Sequence, residues 1–108
     1  MAFKIFTTDT FDEDFKKLTK VEQDRIRKIR DKQLKENPYV GKPLDYKWFR
    51  EKKINGKRLY FLIYDDIQAV LIAAWSDKKT QQITINAIKS ALDFYKKEVK
   101  KKLSQSTP

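Results

Sequence analysis

Basic side chains concentrate around one predicted turn, and this concentration points to the chemistry of the chain. Residues 47–58 carry six Lys or Arg against a single acid, Glu51, a net charge of +5 in a chain whose total is +10. A second basic run, residues 96–102, has five Lys against Glu98, a net of +4. Such a local excess of cations needs anionic compensation, and the phosphate backbone of a nucleic acid is the commonest anion of that kind. The sequence therefore predicts a nucleic-acid partner.

The residue types that are missing narrow this chemistry. The chain has no Cys and no His, which removes thiolate zinc sites, Cys nucleophiles and the commonest general base near neutral pH. Catalysis would have to use Lys, Arg, Tyr or carboxylates, and no cofactor is implied. The acids of residues 9–14 have the positions of helix N-terminal charges rather than of a metal cluster, so we expect no metal site.

Length and composition bound the architecture. With 108 residues, 40% of them hydrophobic, the chain can bury one core. We expect a single domain over residues 1–95 and a basic helix end and tail over residues 96–108. The N-terminus lacks a signal-peptide pattern, and the longest apolar run, residues 69–75, is too short to span a bilayer. These features predict a cytoplasmic protein with no membrane partner.

The spacing of apolar residues predicts an α+β fold with the order β-α-α-β-β-β-α. A short strand over residues 3–6 precedes two helices, each opened by a capping-box pattern, Thr10 with Glu13 and Thr19 with Glu22. The remaining elements are strands over residues 48–54, 58–64 and 69–75 and a long helix over residues 80–103. We therefore expect a small, mainly antiparallel sheet with a helical hairpin on one face and a long C-terminal helix.

Asn55-Gly56 is the strongest turn signal in the chain, and it determines which strand residues share a face. A two-residue turn here places Lys53 opposite Arg58 and Glu51 opposite Tyr60. Because side chains alternate along a strand, these four lie on one charged and aromatic face. We take this face as the candidate site and expect the opposite, apolar face to pack on the helices.

Several short patterns occur in a definite order along the chain. They are the spacing of Phe11, Phe15 and Leu18, then Gly41 to Leu44, Phe49-Arg50, Gly56 to Tyr60, and Ala74 to Lys79. In this order, and around a basic hairpin, they resemble the RelE/ParE superfamily of toxin-antitoxin toxins, in particular archaeal-type members of the RelE-like branch. The resemblance covers roughly residues 3–92 and rests on the order of the patterns, because each is short.

The resemblance implies a toxin that cuts mRNA in the ribosome and a cognate antitoxin that wraps and neutralises it. In such cleavage the RNA 2′-hydroxyl attacks its neighbouring phosphate without a metal, which requires charge stabilisation and proton transfer. Arg58 matches the family's arginine on the third strand and is the candidate for holding the phosphate. Lys53 beside it is the candidate for stabilising charge or transferring a proton.

Further RNA-binding side chains are expected around this pair. They are Arg50, Lys52 and Lys57 of the hairpin, Lys78 and Lys79 after the last strand, and Tyr60 and Tyr64, whose rings can stack on a base. Active bacterial members tend to carry an Arg after the last strand and a Tyr or a His-Tyr pair near the start of the final helix. This chain has Lys78, Lys79 and then Ile83 there.

Other interpretations of the same residues stay open. A basic strand face can be a solvated edge that prevents aggregation, the tyrosines can be packing residues, and residues 96–102 can be a soluble helix end. Without the bacterial Tyr and His, the chain can also be a catalytically silent binding module of the toxin fold. Such a module would act as a ParE-like gyrase poison or bind only an antitoxin or RNA. The sequence does not specify the oligomeric state.

Overall fold

The computed structural model describes residues 2–106, which form one five-stranded sheet with helices on both faces. The elements are β1 (Lys4–Thr7), α1 (Asp9–Lys16), α2 (Lys20–Ile29), β2 (Lys42–Leu44), β3 (Tyr46–Ile54), β4 (Lys57–Tyr64), β5 (Ala69–Ser76), α3 (Gln81–Ser90) and α4 (Leu92–Ser106). A π-helical turn, Arg30–Leu34, extends α2, and a 3-10 turn, Asp65–Ile67, joins β4 to β5.

The sheet has the strand order β1-β5-β4-β3-β2, in which β1 is parallel to β5 and the other neighbours are antiparallel. This confirms the predicted α+β fold and its mainly antiparallel sheet. The hairpin register is also confirmed, since Lys53 pairs with Arg58 and Glu51 with Tyr60. The turn residues Asn55-Gly56 have φ angles of 48° and 80°, the left-handed pair that a type I′ turn requires.

Helices cover both faces of this sheet. The face that carries Leu59, Phe61 and Ile63 packs on α1 and α2, as expected. The face that carries Tyr60 and Leu62 is covered as well, by α3 and α4. The charged face that we took as the candidate site is therefore buried too, because the apolar side of the C-terminal helices packs on it.

The helix expected over residues 80–103 is interrupted at Ala91, where φ is −118° and ψ is 17°. A straight helix over that stretch would extend for roughly 36 Å, beyond the length of about 26 Å of a strand such as β5, which has eight residues. The break lets both helices lie on the sheet. Ile88 of α3 and Val99 of α4 are consequently in the same core, with 1% and 0% of their surface exposed.

The two capping-box predictions have different outcomes. Thr19 and Glu22 form the box at the start of α2, each side chain bonding the other residue's backbone N–H. The box at Thr10 is wrong, because α1 begins one residue after Thr8. The Thr8 hydroxyl accepts from the Phe11 N–H at 3.0 Å and donates to a β5 carbonyl at 2.7 Å. Because the Thr8 hydroxyl is hydrogen-bonded to both α1 and β5, it determines the residue at which α1 begins.

The final helix runs past residue 95, the predicted end of the domain. Helix α4 continues through this position, and Val99 beyond it is fully buried. The basic run of residues 96–102 therefore lies on a helix that contributes to the core, while residues 107 and 108 of the predicted tail lie outside the described residues. Over residues 2–106, no helix has the length and apolar character needed to span a membrane.

Candidate functional site

Arg58 lies inside the protein, on β4, with 6% of its surface exposed. Its Nε is 3.8 Å from Oε1 of Glu51 on β3, and its Nη1 donates to the Gly56 carbonyl at 2.9 Å. The distance to Glu51 is an electrostatic contact and not a hydrogen bond. Accordingly, the buried Nε of Arg58 has no hydrogen-bond partner within residues 2–106, and one N–H of the guanidinium remains available to an anionic oxygen.

Two further hydrogen bonds complete the surroundings of this pair. Gln81, the first residue of α3, donates from Nε2 to Oε1 of Glu51 at 2.7 Å. The hydroxyls of Tyr60 and Ser76 share a hydrogen bond of 2.8 Å, and burial raises the pKa of Tyr60, so that its hydroxyl stays protonated. We call Glu51, Arg58, Tyr60, Ser76 and Gln81 the buried polar cluster.

Four lysines surround the same end of the sheet. Lys53 is exposed and pairs with Arg58 across the hairpin, and Lys57 follows the turn on β4 with its side chain on the opposite strand face from Arg58. Lys78 and Lys79 are exposed and are separated only by Asp77 from the end of β5, whose last residue pairs with Arg58. The structure thus brings together the predicted residues Lys53, Lys57, Arg58, Lys78 and Lys79. We call the four lysines the basic rim.

Arg50, another predicted RNA-binding residue, is bonded to backbone carbonyls of the protein itself. Its guanidinium donates to the carbonyls of Val40 and Gly41, each at 3.1 Å. A third donor bonds the carbonyl of Lys47 at 3.2 Å, and the guanidinium lies 5.8 Å from the centre of the Tyr39 ring. Arg50 therefore attaches the loop before β2 to β3, and most of its donors are used in doing so.

Three other predicted RNA-binding residues do not join the site. Lys52 pairs with Leu59 and alternates with Lys53, which directs it toward the face of α1 and α2. Tyr60 has no exposed surface, so its ring cannot stack on a base while α3 covers it. Tyr64 ends β4 six residues after Arg58, about 20 Å away along the strand; burial raises its pKa.

Ser76 and Gln81 belong to the site and were not predicted from the sequence. Ser76 faces Arg58 only through the β4–β5 register, which contains a bulge between Tyr60 and Phe61. Gln81 reaches Glu51 across 30 residues of sequence. Their location in the sequence could have indicated both residues, because Ser76 ends the last strand and Gln81 begins the next helix.

The cluster combines the groups that binding and rearranging a phosphodiester needs. A guanidinium can hold two phosphate oxygens, a carboxylate beside it can accept a proton, and the lysines of the basic rim can hold flanking phosphates. Over residues 2–106, no three acidic side chains come close enough together to hold a metal ion. Arg58 is only 6% exposed, and Gln81 of α3 is bonded to its neighbour Glu51, so little of the guanidinium surface faces solvent.

A helical hairpin covers one face of the five-stranded, mainly antiparallel sheet and C-terminal helices cover the other, an arrangement similar to that of solved RelE structures. The chain is similar to a doubly substituted Escherichia coli RelE toxin in the free state, with a TM-score of 0.71 and 17% identity over 83% of this chain and 98% of that one. It is similar to a chain of the RelBE2 toxin-antitoxin complex of Mycobacterium tuberculosis, with a TM-score of 0.63 and 22% identity over 72% of this chain and 100% of that one.

An archaeal RelE–RelB complex from Pyrococcus horikoshii is similar too, with a TM-score of 0.57 and 12% identity over 72% of this chain and 97% of the matched one. No protein-family model and no curated protein sequence matches the chain. The protein therefore has the RelE fold, with low sequence identity to these structures.

Proposed function

We propose that this protein is the RelE-like toxin of a toxin-antitoxin pair and acts as a ribosome-dependent mRNA endoribonuclease that inhibits translation. The observation that carries the proposal is the buried pair of Arg58 and Glu51 beneath the basic rim of a RelE fold. The RelE structures similar to it include complexes with antitoxins, and a cognate antitoxin is accordingly the proposed protein partner.

In the proposed reaction Arg58 holds the phosphate that is attacked. Its planar fork fits two phosphate oxygens and stays charged at any physiological pH. The Nε that lacks a partner inside the protein is one of the donors available for this contact. The lysines of the basic rim hold the phosphates on either side and so place the mRNA backbone across the end of the sheet.

The 2′-oxygen of the RNA forms a bond to phosphorus while the bond from phosphorus to the 5′-oxygen breaks, leaving a cyclic phosphate and a free 5′-hydroxyl. Glu51 accepts the proton of the 2′-hydroxyl, because its carboxylate is the acid closest to Arg58. Lys53, exposed on the same strand face, gives a proton to the departing 5′-oxygen. Arg58 stabilises the charge that develops on the phosphate in between.

Substrate access requires α3 to leave its position over β4. Gln81 is the residue of α3 that bonds Glu51, so its withdrawal frees the carboxylate at the same time as it uncovers Arg58. Binding to the ribosome supplies the energy for this opening in the proposal, which accounts for a requirement for translating ribosomes.

The test is induced expression in bacterial cells, read as growth and as new mRNA 5′ ends by primer extension. We expect growth arrest and new ends while translation runs, with both abolished by Arg58→Ala and strongly reduced by Arg58→Lys, which keeps the charge but loses the fork. Lys28→Ala, an exposed position on α2, is the matched control. A folded Arg58→Ala protein, checked by circular dichroism, that still produced new ends would contradict the proposal.

A second candidate function is a catalytically silent binding module. The observation that favours it is the burial of Arg58, which is already paired with Glu51 and covered by α3. The same expression experiment separates the two functions, because a silent module produces no new 5′ ends, whether or not it arrests growth. A supercoiling assay with purified DNA gyrase then distinguishes a gyrase poison from a protein that binds only RNA or an antitoxin.

A further inference from the structure

A cavity of about 550 Å³ opens at the end of the sheet remote from Arg58. It lies between the start of β3, the end of β4 and the first turn of α4. Aromatic rings form much of its wall, contributed by Tyr39, Tyr46, Trp48 and Tyr64. We call it the aromatic pocket, and none of the proposed cleavage chemistry uses it.

Two of these rings form a stacked pair, of which Tyr46 is the exposed member. Tyr46 and Trp48 stack with their centroids 4.6 Å apart and their planes 6° from parallel. Tyr46 is 42% exposed, which is unusual for a large side chain beside a cavity. The third ring, Tyr39, is already occupied, because Lys47 and Arg50 lie 5.3 and 5.8 Å from its centre.

The residues that line the pocket carry a net negative charge. Asp65, Asp66 and Asp93 line it against one lining cation, Lys96, a net of −2 in a chain of +10, while Lys47 and Arg50 are held on the Tyr39 ring at its edge. Asp65 accepts a hydrogen bond from the Tyr39 hydroxyl. Asp66 and Asp93 take part in no ion pair or hydrogen bond within the described part of the chain, so both carboxylates are available to a ligand.

The carboxylates of the pocket are too far apart to bind one metal ion together, which favours an organic cation as the ligand. No group of three acidic residues within residues 2–106 converges on one point, so the aspartates surround an opening and do not form a coordination shell. A nucleobase could stack on the rings, but its phosphates would then meet the aspartates. A flat organic cation satisfies the rings and the acids together.

We propose that the aromatic pocket binds an arginine side chain of a protein partner. A guanidinium stacks face to face on rings such as those of Tyr46 and Trp48, and its edge donors can reach a carboxylate such as Asp66. If the proposed function holds, this partner is the antitoxin, and the inference rests on that function only for the partner's identity. The pocket would then anchor the partner at the end of the sheet opposite to the cluster it has to silence.

The test uses the intact protein and two synthetic pentapeptides, one with a central arginine and one with neutral citrulline, which has nearly the same shape. The chain has two tryptophans, so the indole N–H signals of Trp48 and Trp75 report binding in NMR spectra. We expect the arginine peptide to shift the Trp48 signal and leave that of Trp75 in place, because Trp48 lines the pocket whereas Trp75 pairs with Leu59 near the Arg58 end of the sheet. Citrulline should produce much smaller shifts.

Variants identify the residues that bind. The double variant Asp66→Asn with Asp93→Asn should bind the arginine peptide about fivefold more weakly or worse. Tyr46→Ala should lower the affinity for the peptide by a similar factor. Asp9→Asn with Asp12→Asn, two exposed acids of α1, is the control with the same charge change. Three results would each overturn the inference: the citrulline peptide binds as tightly as the arginine peptide, the pocket variants bind the arginine peptide with unchanged affinity, or oligouridylate displaces the peptide.

The outcome is independent of catalysis. Tyr46 lies outside the buried polar cluster. The Tyr46→Ala variant should therefore still arrest growth and cleave mRNA as the unmodified protein does, but should no longer bind the peptide. Loss of cleavage in Arg58→Ala with intact peptide binding would separate the two sites. Failure of the peptide to bind a protein that still cleaves mRNA would reject the pocket alone.

Discussion

Nε of Arg58 lies 3.8 Å from Oε1 of Glu51, and each side chain is only 7% exposed. Both charges have left water, and their attraction is needed to offset the loss of hydration. Such a pair adds little net stability compared with apolar side chains of similar size, whereas removing one partner leaves an uncompensated charge inside the protein. Buried ionisable groups of this kind are common at functional sites, which is a reason to test this pair for a role in function.

Removing Glu51 alone should therefore destabilise the protein strongly. We expect Glu51→Ala to lower the free energy of unfolding by about 3 to 5 kcal/mol, measured by urea denaturation. The double variant Glu51→Leu with Arg58→Met should be within about 1 kcal/mol of the unmodified protein or more stable. A single variant with unchanged stability would show that Arg58 is not held by this carboxylate.

Gly41 and Gly56 offer a matched pair of substitutions. Both have positive φ angles, +76° and +80°, but a Cβ at Gly41 would lie 2.4 Å from the Glu51 carbonyl oxygen, whereas one at Gly56 would meet nothing within 4 Å. Gly56→Ala should cost about 1 kcal/mol of unfolding free energy from backbone strain alone. Gly41→Ala should cost at least about 2 kcal/mol more, because a backbone atom must move. Equal midpoints in urea would contradict this.

The hairpin was predictable because its determinants are local. The Asn55-Gly56 turn sets the register on its own, and alternation along each strand then assigns Glu51 and Arg58 to the same face. The second capping box, at Thr19, is equally local. These features depend on residues a few positions apart, which is the range over which a sequence pattern determines structure.

The covering of the site was not predictable, since it depends on packing between distant segments. The break at Ala91 has no Pro or Gly to announce it, and it results from fitting α3 and α4 onto the sheet. The contact between Gln81 and Glu51 follows from that packing. A basic strand residue such as Arg58 looks exposed from sequence alone, because only tertiary structure reveals the helix above it.

Raising the pH should destabilise the protein through Tyr39. Burial, and then the hydrogen bond to Asp65, raise the pKa of Tyr39 to about 12, above the usual value of about 10 in an unfolded chain. Between these values the unfolded chain has lost a proton that the folded protein still holds, so stability falls as the pH rises. Urea midpoints should decline over this window, and Tyr39→Phe should make the decline shallower. An equally steep decline in the variant would exclude Tyr39 as a cause.

The basic rim and the basic run of residues 96–102 can be compared at equal charge. If the rim holds RNA phosphates, Lys53→Gln with Lys78→Gln and Lys79→Gln should weaken binding to a single-stranded oligouridylate and flatten log K against log salt by roughly 0.7 for each lost contact. Lys100→Gln with Lys101→Gln and Lys102→Gln removes as much charge from α4. Substitution is preferable to truncation there, because Val99 on the same helix is fully buried.

The two triple variants should behave differently if the site lies at the rim. The rim variant should lose both affinity and cleavage, since its lysines surround the phosphate that Arg58 holds. The α4 variant should at most shift affinity, with its cleavage pattern unchanged, because its lysines lie away from the cluster on a separate helix. If the α4 variant alone changed the salt slope, the RNA would follow the final helix and the assignment of the basic rim would be wrong. Fluorescence anisotropy across a salt series measures both slopes directly.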